Sequence, residues 1–235
     1  MSLSDRAQST PVGVAILLAV TVVSMSALTV AVGSVVQEGA SEAEARGVAA
    51  SMDAALDAER HGPNERALTL HEGRLRTIER SVRVLDGTQV TFERRVGGLV
   101  FAAGDRRVRY AAGATVRDAG TGAYLHAPPS LSVRDGTLFL GVPVLDAAAV
   151  AVDGPGTVTL RTNVTHDRRH LTGNGYAVAI ETRTPAVWER WFDDVGATTT
   201  RRSFDGDDVP SVVARFPDVE DVYVFVHDLN LEVGR

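Results

Sequence analysis

Hydrophobic and polar residues follow two different patterns along this chain. Residues 7–37 carry no charge, and within them 11–36 is almost continuously apolar or small. From residue 67 onward, short runs of alternating apolar and polar residues are separated by turn residues. The first pattern predicts a helix that is apolar on all its faces, and the second predicts a β-rich region.

The apolar segment 11–36 is long enough to predict a membrane-spanning helix, since a bilayer core requires about 20 apolar residues. A cleaved secretory signal would have a shorter apolar stretch and an A-x-A-like site after it, and the sequence offers neither. Arg6 precedes the segment, and three glutamates follow it before Arg46. The predicted localisation is therefore the cell membrane, single-pass, with a cytoplasmic N-terminus and an extracellular C-terminal domain.

The helix is predicted to continue beyond the span as a stalk. Residues 38–60 are rich in alanine and glutamate, and Val48, Met52 and Leu56 recur at helical spacing. His61-Gly62-Pro63 is a stop signal. The sequence thus predicts a helical stem over 8–60 and a β-rich domain over 61–235.

Eleven short alternating runs predict the strands of that domain. They lie at 67–71, 75–85, 89–94, 99–102, 107–111, 131–133, 137–144, 158–164, 177–182, 209–213 and 222–226. Asp135-Gly136 between two runs is the clearest hairpin signal. The predicted fold class is α+β: a long transmembrane helix continuing as a stalk, then an antiparallel, sandwich-like β-rich head with one packed helix.

The packed helix is predicted over 185–195, with Thr184 as its cap and Pro185 at its first position. Both tryptophans of the chain, Trp188 and Trp191, belong to its apolar stripe. Such a stripe is typical of a helix that packs on a sheet as part of the core. The alternative is a contact surface for a partner or a carbohydrate.

Composition excludes several classes of function. The chain has no cysteine, which excludes disulfides, thiol catalysis and cysteine-ligated metals. All 24 basic residues are arginine, and the net charge is −6. An acidic, lysine-free chain resembles proteins of salt-loving archaea, although a GC-rich genome also replaces lysine by arginine. The acidic balance argues against nucleic-acid binding.

The sequence contains few side chains that could form a metal or catalytic site. His166 and His170 are four residues apart in HDRRH, but this stretch is predicted as a loop and two arginines oppose a cation. Asp205, Asp207 and Asp208 form an acidic turn without the order of an EF-hand, which an acidic surface explains better than calcium. No catalytic residue, cofactor or metal is predicted.

Asn163-Val164-Thr165 is an N-glycosylation sequon, so Asn163 is a candidate for modification.

Residues 5–36 resemble the N-termini of archaeal type IV pilins and archaellins, especially those of haloarchaeal pilin-like proteins. Asp5, Arg6 and Ala7 match the end of a short leader that directly precedes the apolar helix. The resemblance implies a leader over 1–7, removed between Ala7 and Gln8 by a prepilin peptidase. The fifth mature position is Val12, whereas bacterial type IV pilins carry glutamate there. An uncut single-pass anchor is the alternative.

The expected function is that of a non-catalytic pilin-like surface subunit, membrane-anchored and assembled into a type IV pilus-type filament. Its expected partners are the lipid bilayer, other pilin-like subunits and a prepilin peptidase, and not nucleic acid. The alternative function is a single-pass membrane-anchored envelope protein whose β-rich head binds a ligand, protein or glycan.

Overall fold

The computed structural model describes residues 9–120, 122–173 and 175–234, without the side chains at 9–12, 27, 30–35 and 38. The chain divides into two compact units, an N-terminal unit of residues 1–42 and a β-rich unit of residues 43–235. The proposed processing residues Ala7 and Gln8 lie outside the described residues.

Helix α1 spans Ser9–Ala55. In the N-terminal unit its described apolar side chains are exposed to solvent. Three hydroxyls on this part of the helix donate hydrogen bonds of 2.8 Å to the carbonyl four residues earlier: Thr21 to Leu17, Ser26 to Val22, and Thr29 to Met25. These polar groups are thereby satisfied within the helix.

Among the residues that the structure describes, no helix has a stretch both long and apolar enough to cross a bilayer. This finding overturns the predicted membrane span over 11–36, the transmembrane part of the fold class and the single-pass localisation. A helix that is apolar on all its faces is typical of a helix buried among protein elements as well as of a membrane span, so the apolar pattern of 11–36 did not by itself specify a span.

The β-rich unit holds the strands and a second helix, α2 (Pro185–Asp194). In chain order the strands are β1 Gly62–Leu70, β2 Arg74–Ile78, β3 Ser81–Asp86, β4 Gln89–Arg95, β5 Gly98–Ala103, β6 Arg106–Ala111, β7 Ala114–Asp118, β8 Ala123–Ala127, β9 Leu131–Arg134, β10 Thr137–Val144, β11 Ala151–Asp153, β12 Gly156–Thr172, β13 Tyr176–Glu181, β14 Thr198–Arg202, β15 Ser211–Phe216, β16 Asp221–Asp228 and β17 Glu232–Gly234.

These strands form three sheets. The first has the order β1-β12-β16-β10-β9, with β17 beside β12; the second is β11-β2-β5-β6-β7-β8; the third is β14-β15-β13-β3-β4. Strands β10 and β16 pair in parallel. The predicted antiparallel arrangement of the head is therefore wrong for this pair, because a pairing between strands so distant in the chain leaves no local signal. The predicted β-sandwich-like content fits the structure. The prediction of a β-rich region was confirmed.

Two large hydrophobic cores and a smaller cluster on the third sheet hold the β-rich unit together. The first lies among the third sheet, helix α2 and strands β10 and β16. The second buries the end of α1, including Val48, Met52 and Leu56, against side chains of the first and second sheets. Met52 is fully buried. The buried Tyr110 hydroxyl donates a hydrogen bond to the Leu56 carbonyl at 3.1 Å, so the helix end is held by polar as well as apolar contacts.

Local sequence signals were reliable where they specified turns. Asp135 and Gly136 both have positive φ, 48° and 72°, and join β9 to β10 as predicted. Two of the predicted runs differ from the structure in a way that alters the topology. The run 75–85 is divided at Glu79-Arg80 into β2 and β3, which belong to different sheets. The run 158–164 continues as β12 to Thr172, so HDRRH is strand and not loop.

Candidate functional site

The exposed apolar side chains of α1 between Val14 and Leu28 form the most unusual surface of the described chain, and we call them the apolar helix surface. Leu17 and Val23 are both 67% exposed. At about 100° per residue, Val14, Leu17, Val20, Val22 and Val23 point in directions about 60–100° apart around the axis. The whole circumference is therefore apolar, and this surface is suited to contact with several apolar neighbours.

A second candidate is a cluster of histidines on the solvent face of the first sheet. His166 on β12 lies directly opposite His227 on β16, and their Nδ1 atoms are 2.7 Å apart. His61, which precedes β1, places its ring centroid 5.4 Å from that of His166. One imidazole must donate and the other accept in the His166–His227 bond, so the pair holds at least one neutral ring.

The surroundings of His227 favour the neutral form of its ring. Burial lowers the pKa of His227, and the neighbouring His166 lowers it further, while Asp228 acts in the opposite direction. Protonation of His227 is consequently less favourable in the folded chain than in water.

His170 belongs to a separate group on the same face. Its ring stacks on Tyr223 at 4.4 Å between centroids, and its Nε2 lies 2.7 Å from Asp221 Oδ1. Tyr223 stacks in turn on Phe139. Four residues of strand separate His166 from His170 by about 13 Å, so they cannot share a metal ion. The described residues contain no group of three metal-ligating side chains arranged around a common ion.

The acidic turn 205–208 is fastened to the sheet by arginine. Arg83 donates to both oxygens of Asp207, at 2.9 and 2.6 Å, and both side chains are almost fully buried, 3% and 2% exposed. Arg80 lies 3.5 Å from Asp208. The interpretation of this turn as acidic surface was therefore wrong for Asp207, because it missed partners more than 100 residues away in the sequence.

The two tryptophans have different environments. Trp188 is buried in the first core, 2% exposed, so it does not belong to a contact surface. Trp191 is half-buried and packs against the same core, with its ring 6.1 Å from that of Trp188. Packing on the sheet explains the apolar stripe of α2. The predicted cap Thr184 makes no side-chain hydrogen bond to the helix; its hydroxyl lies 3.2 Å from that of Thr182.

Asn163 lies on β12 opposite Pro63. Its backbone is held by hydrogen bonds, since its N–H donates to the Leu229 carbonyl and its carbonyl accepts from Asn230, both at 2.9 Å. The residue is exposed, so the side chain of the sequon is accessible from solvent.

The histidine cluster and the arginine contacts of the acidic turn were not predicted from the sequence. His61, His166 and His227 are far apart in the sequence and meet only through strand pairing. Alternation of His166, Arg168 and His170 with other polar residues could have indicated an exposed strand, but both faces of this segment are polar.

The chain matches the model of one protein family. Residues 6–232 match the model of DUF7289, a family of unknown function. No curated protein is significantly similar to the chain. No solved structure is significantly similar to the chain either. Because the match extends over nearly all of the sequence, this chain belongs to the DUF7289 family.

Proposed function

We propose that this chain is a non-catalytic, pilin-like structural subunit that assembles with further copies of itself through the apolar helix surface. The observation that carries the proposal is the exposure of apolar side chains around the whole circumference of α1 in the N-terminal unit. No enzymatic activity is part of the proposal.

The distribution of these side chains favours several neighbours over one. A partner with a single binding face would cover only part of the circumference and leave the rest in water. Burial of one valine or leucine side chain contributes about 1.5–3 kcal/mol. Helices of other copies supply the same apolar surface, and a bundle of them covers every direction at once. Small residues such as Gly13, Ala15 and Ala19 allow close approach of helix backbones.

The end of the same helix suits this role. Residues from Ala45 to Leu56 on its buried side contribute to the second core, and Asn64 donates hydrogen bonds of 3.2 Å to the carbonyls of Ala54 and Ala55. A subunit that assembles by its helix must keep that helix attached to its folded domain, and these contacts provide the attachment.

The test compares the full chain with a variant carrying Leu17→Asp and Val23→Asp. Both side chains are 67% exposed, so the substitutions remove little packing within the subunit. We expect large assemblies of the unaltered chain in sedimentation velocity and filaments in electron micrographs, and small species for the variant. Desolvation of two carboxylates in an apolar bundle opposes assembly.

Val133→Asp is the matched control, since Val133 is an exposed apolar residue of the β-rich unit, 40% exposed. It should assemble like the unaltered chain, and circular dichroism should show the same fold for all three proteins. A monodisperse monomer for the unaltered chain, or equal assembly of the double variant, would refute the proposal.

A further inference from the structure

Three arginines line one narrow cleft in the β-rich unit, which we call the arginine cleft. Arg80 lies between β2 and β3, Arg109 on β6, and Arg183 two residues after the end of β13. Thr182 and Thr184, just before helix α2, complete its polar wall, and the apolar wall includes Val116 and Trp188. The cavity measures about 20 Å³, enough for one small polar group and too little for a sugar ring or a nucleotide.

Carboxylates pair with two of the three arginines of this cleft. Glu181 and Asp208 each lie 3.5 Å from Arg80, and Asp118 lies 3.4 Å from Arg109. Within the described chain, Arg183 makes no ion pair. The positive charge of this cleft that no carboxylate contacts is therefore that of Arg183.

Glu181 is the acid inside the cleft, and its oxygens are already engaged. It accepts hydrogen bonds from the backbone N–H groups of Ser81 at 3.0 Å and Asp208 at 3.1 Å. Its side chain is 3% exposed. Its carboxylate thus fixes Arg80 and the backbone around it, which leaves Arg183 and the outer side of Arg109 for a ligand.

The arginines also affect one another. Burial lowers the pKa of Arg80, and Arg183 and Arg76 act in the same direction, against Glu181 and Asp208. Burial likewise lowers the pKa of Arg109, opposed by Asp118, with further lowering by Arg107 and Arg183. Mutual repulsion of this kind is relieved when an anion enters.

We propose that the arginine cleft binds a carboxylate group. The planar guanidinium of arginine matches the two oxygens of a carboxylate bidentately, which favours this ligand over a halide ion. The positive end of the α2 dipole, which begins at Pro185 beside the cleft, adds to the attraction. The carboxylate belongs either to a small free acid or to an acidic side chain of another copy of this chain.

Acetate is the probe, added to the full chain at constant ionic strength in exchange for chloride. A binding site raises the midpoint of thermal unfolding in a saturable manner, whereas general screening does not saturate. We expect Arg183→Gln to weaken acetate binding at least tenfold while the fold is kept, since Arg183 is exposed. Arg66→Gln, at an exposed arginine of β1, is the matched control and should bind acetate unchanged.

A linear response to acetate, unchanged affinity of Arg183→Gln, or an equal loss in Arg66→Gln would overturn the proposal. The source of the carboxylate is decided by repeating the titration with the variant Leu17→Asp, Val23→Asp. Tighter acetate binding by this variant than by the assembled chain indicates that a neighbouring copy occupies the cleft. Equal binding, when sedimentation shows that the unaltered chain is assembled, indicates a free acid. This second arm rests on the proposed assembly; if the chain does not assemble, the two preparations agree and the test of the cleft itself is unaffected.

Discussion

Replacing Asp207 by asparagine should destabilise the β-rich unit far more than any exposed change in the same turn. The substitution keeps the size of the side chain but removes the charge that Arg83 faces at 2.6 and 2.9 Å. Ser211 Oγ also donates to Asp207, at 3.2 Å. Both partners of the ion pair are nearly inaccessible to water, so the loss leaves a buried guanidinium with fewer acceptors.

The magnitude follows from this burial. Removing one partner of a buried ion pair typically costs about 3–5 kcal/mol. Arg83 retains Glu93, whose oxygen lies 2.7 Å from Nη2 and whose side chain is half exposed, and its guanidinium stays over the Phe204 ring at 4.5 Å. These contacts place the expected loss near the lower end, at about 3 kcal/mol.

The assay is urea unfolding at neutral pH, followed by the fluorescence of Trp188 and Trp191. It is best done in the background of Leu17→Asp and Val23→Asp, so that association does not contribute to the measured stability. Asp205→Asn is the matched control, because Asp205 is exposed in the same turn and should change stability by no more than about 0.5 kcal/mol. Equal effects of the two substitutions would show that the pair contributes no special stability.

Three further outcomes are expected. Met52→Ala should lower the free energy of unfolding by about 2–5 kcal/mol, because Met52 is fully buried in the second core; a loss below about 1 kcal/mol in urea unfolding would show that α1 is not anchored there. His227 is held below its ordinary pKa of 6.5, so the unfolded chain binds more protons in that range; stability should be full above about pH 6.5 and fall as the pH drops below it. His227→Gln should flatten this part of the pH–stability curve, and an unchanged slope would exclude the histidine pair as its cause. Intact-mass analysis of the protein from cells with an active prepilin peptidase should show a chain beginning at Gln8; recovery of the uncut N-terminus would exclude processing at Ala7.

Features coded by neighbouring residues could be predicted from the sequence. The Asp135-Gly136 turn was predictable because two adjacent residues with positive φ suit a hairpin. Helix α2 was predictable because Pro185 fixes its start and the apolar stripe its buried side. Its bounds differ from the prediction by a single residue.

Features that depend on distant partners could not be predicted. The parallel pairing of β10 with β16 joins segments about 80 residues apart, and no local pattern specifies a parallel neighbour. Arg83 gives no sign in the sequence that it faces Asp207. The histidine cluster likewise depends on the register of β12 against β16, which sets His166 opposite His227. The sequence supplies the residue types, and only the topology brings them together.

The 17-residue strand β12 has a consequence for how the chain finds its structure. Its first half pairs with β1 and β17 and buries Val158, Leu160 and Val164 in the second core. Its second half pairs with β16, whose Val222, Val224 and Val226 belong to the first core. A slip of one residue along this strand would turn the buried side chains of its first half to solvent, whereas the second half is polar on both faces and loses little by a slip. Burial in the second core therefore sets the register of the whole strand, including the part that pairs with β16.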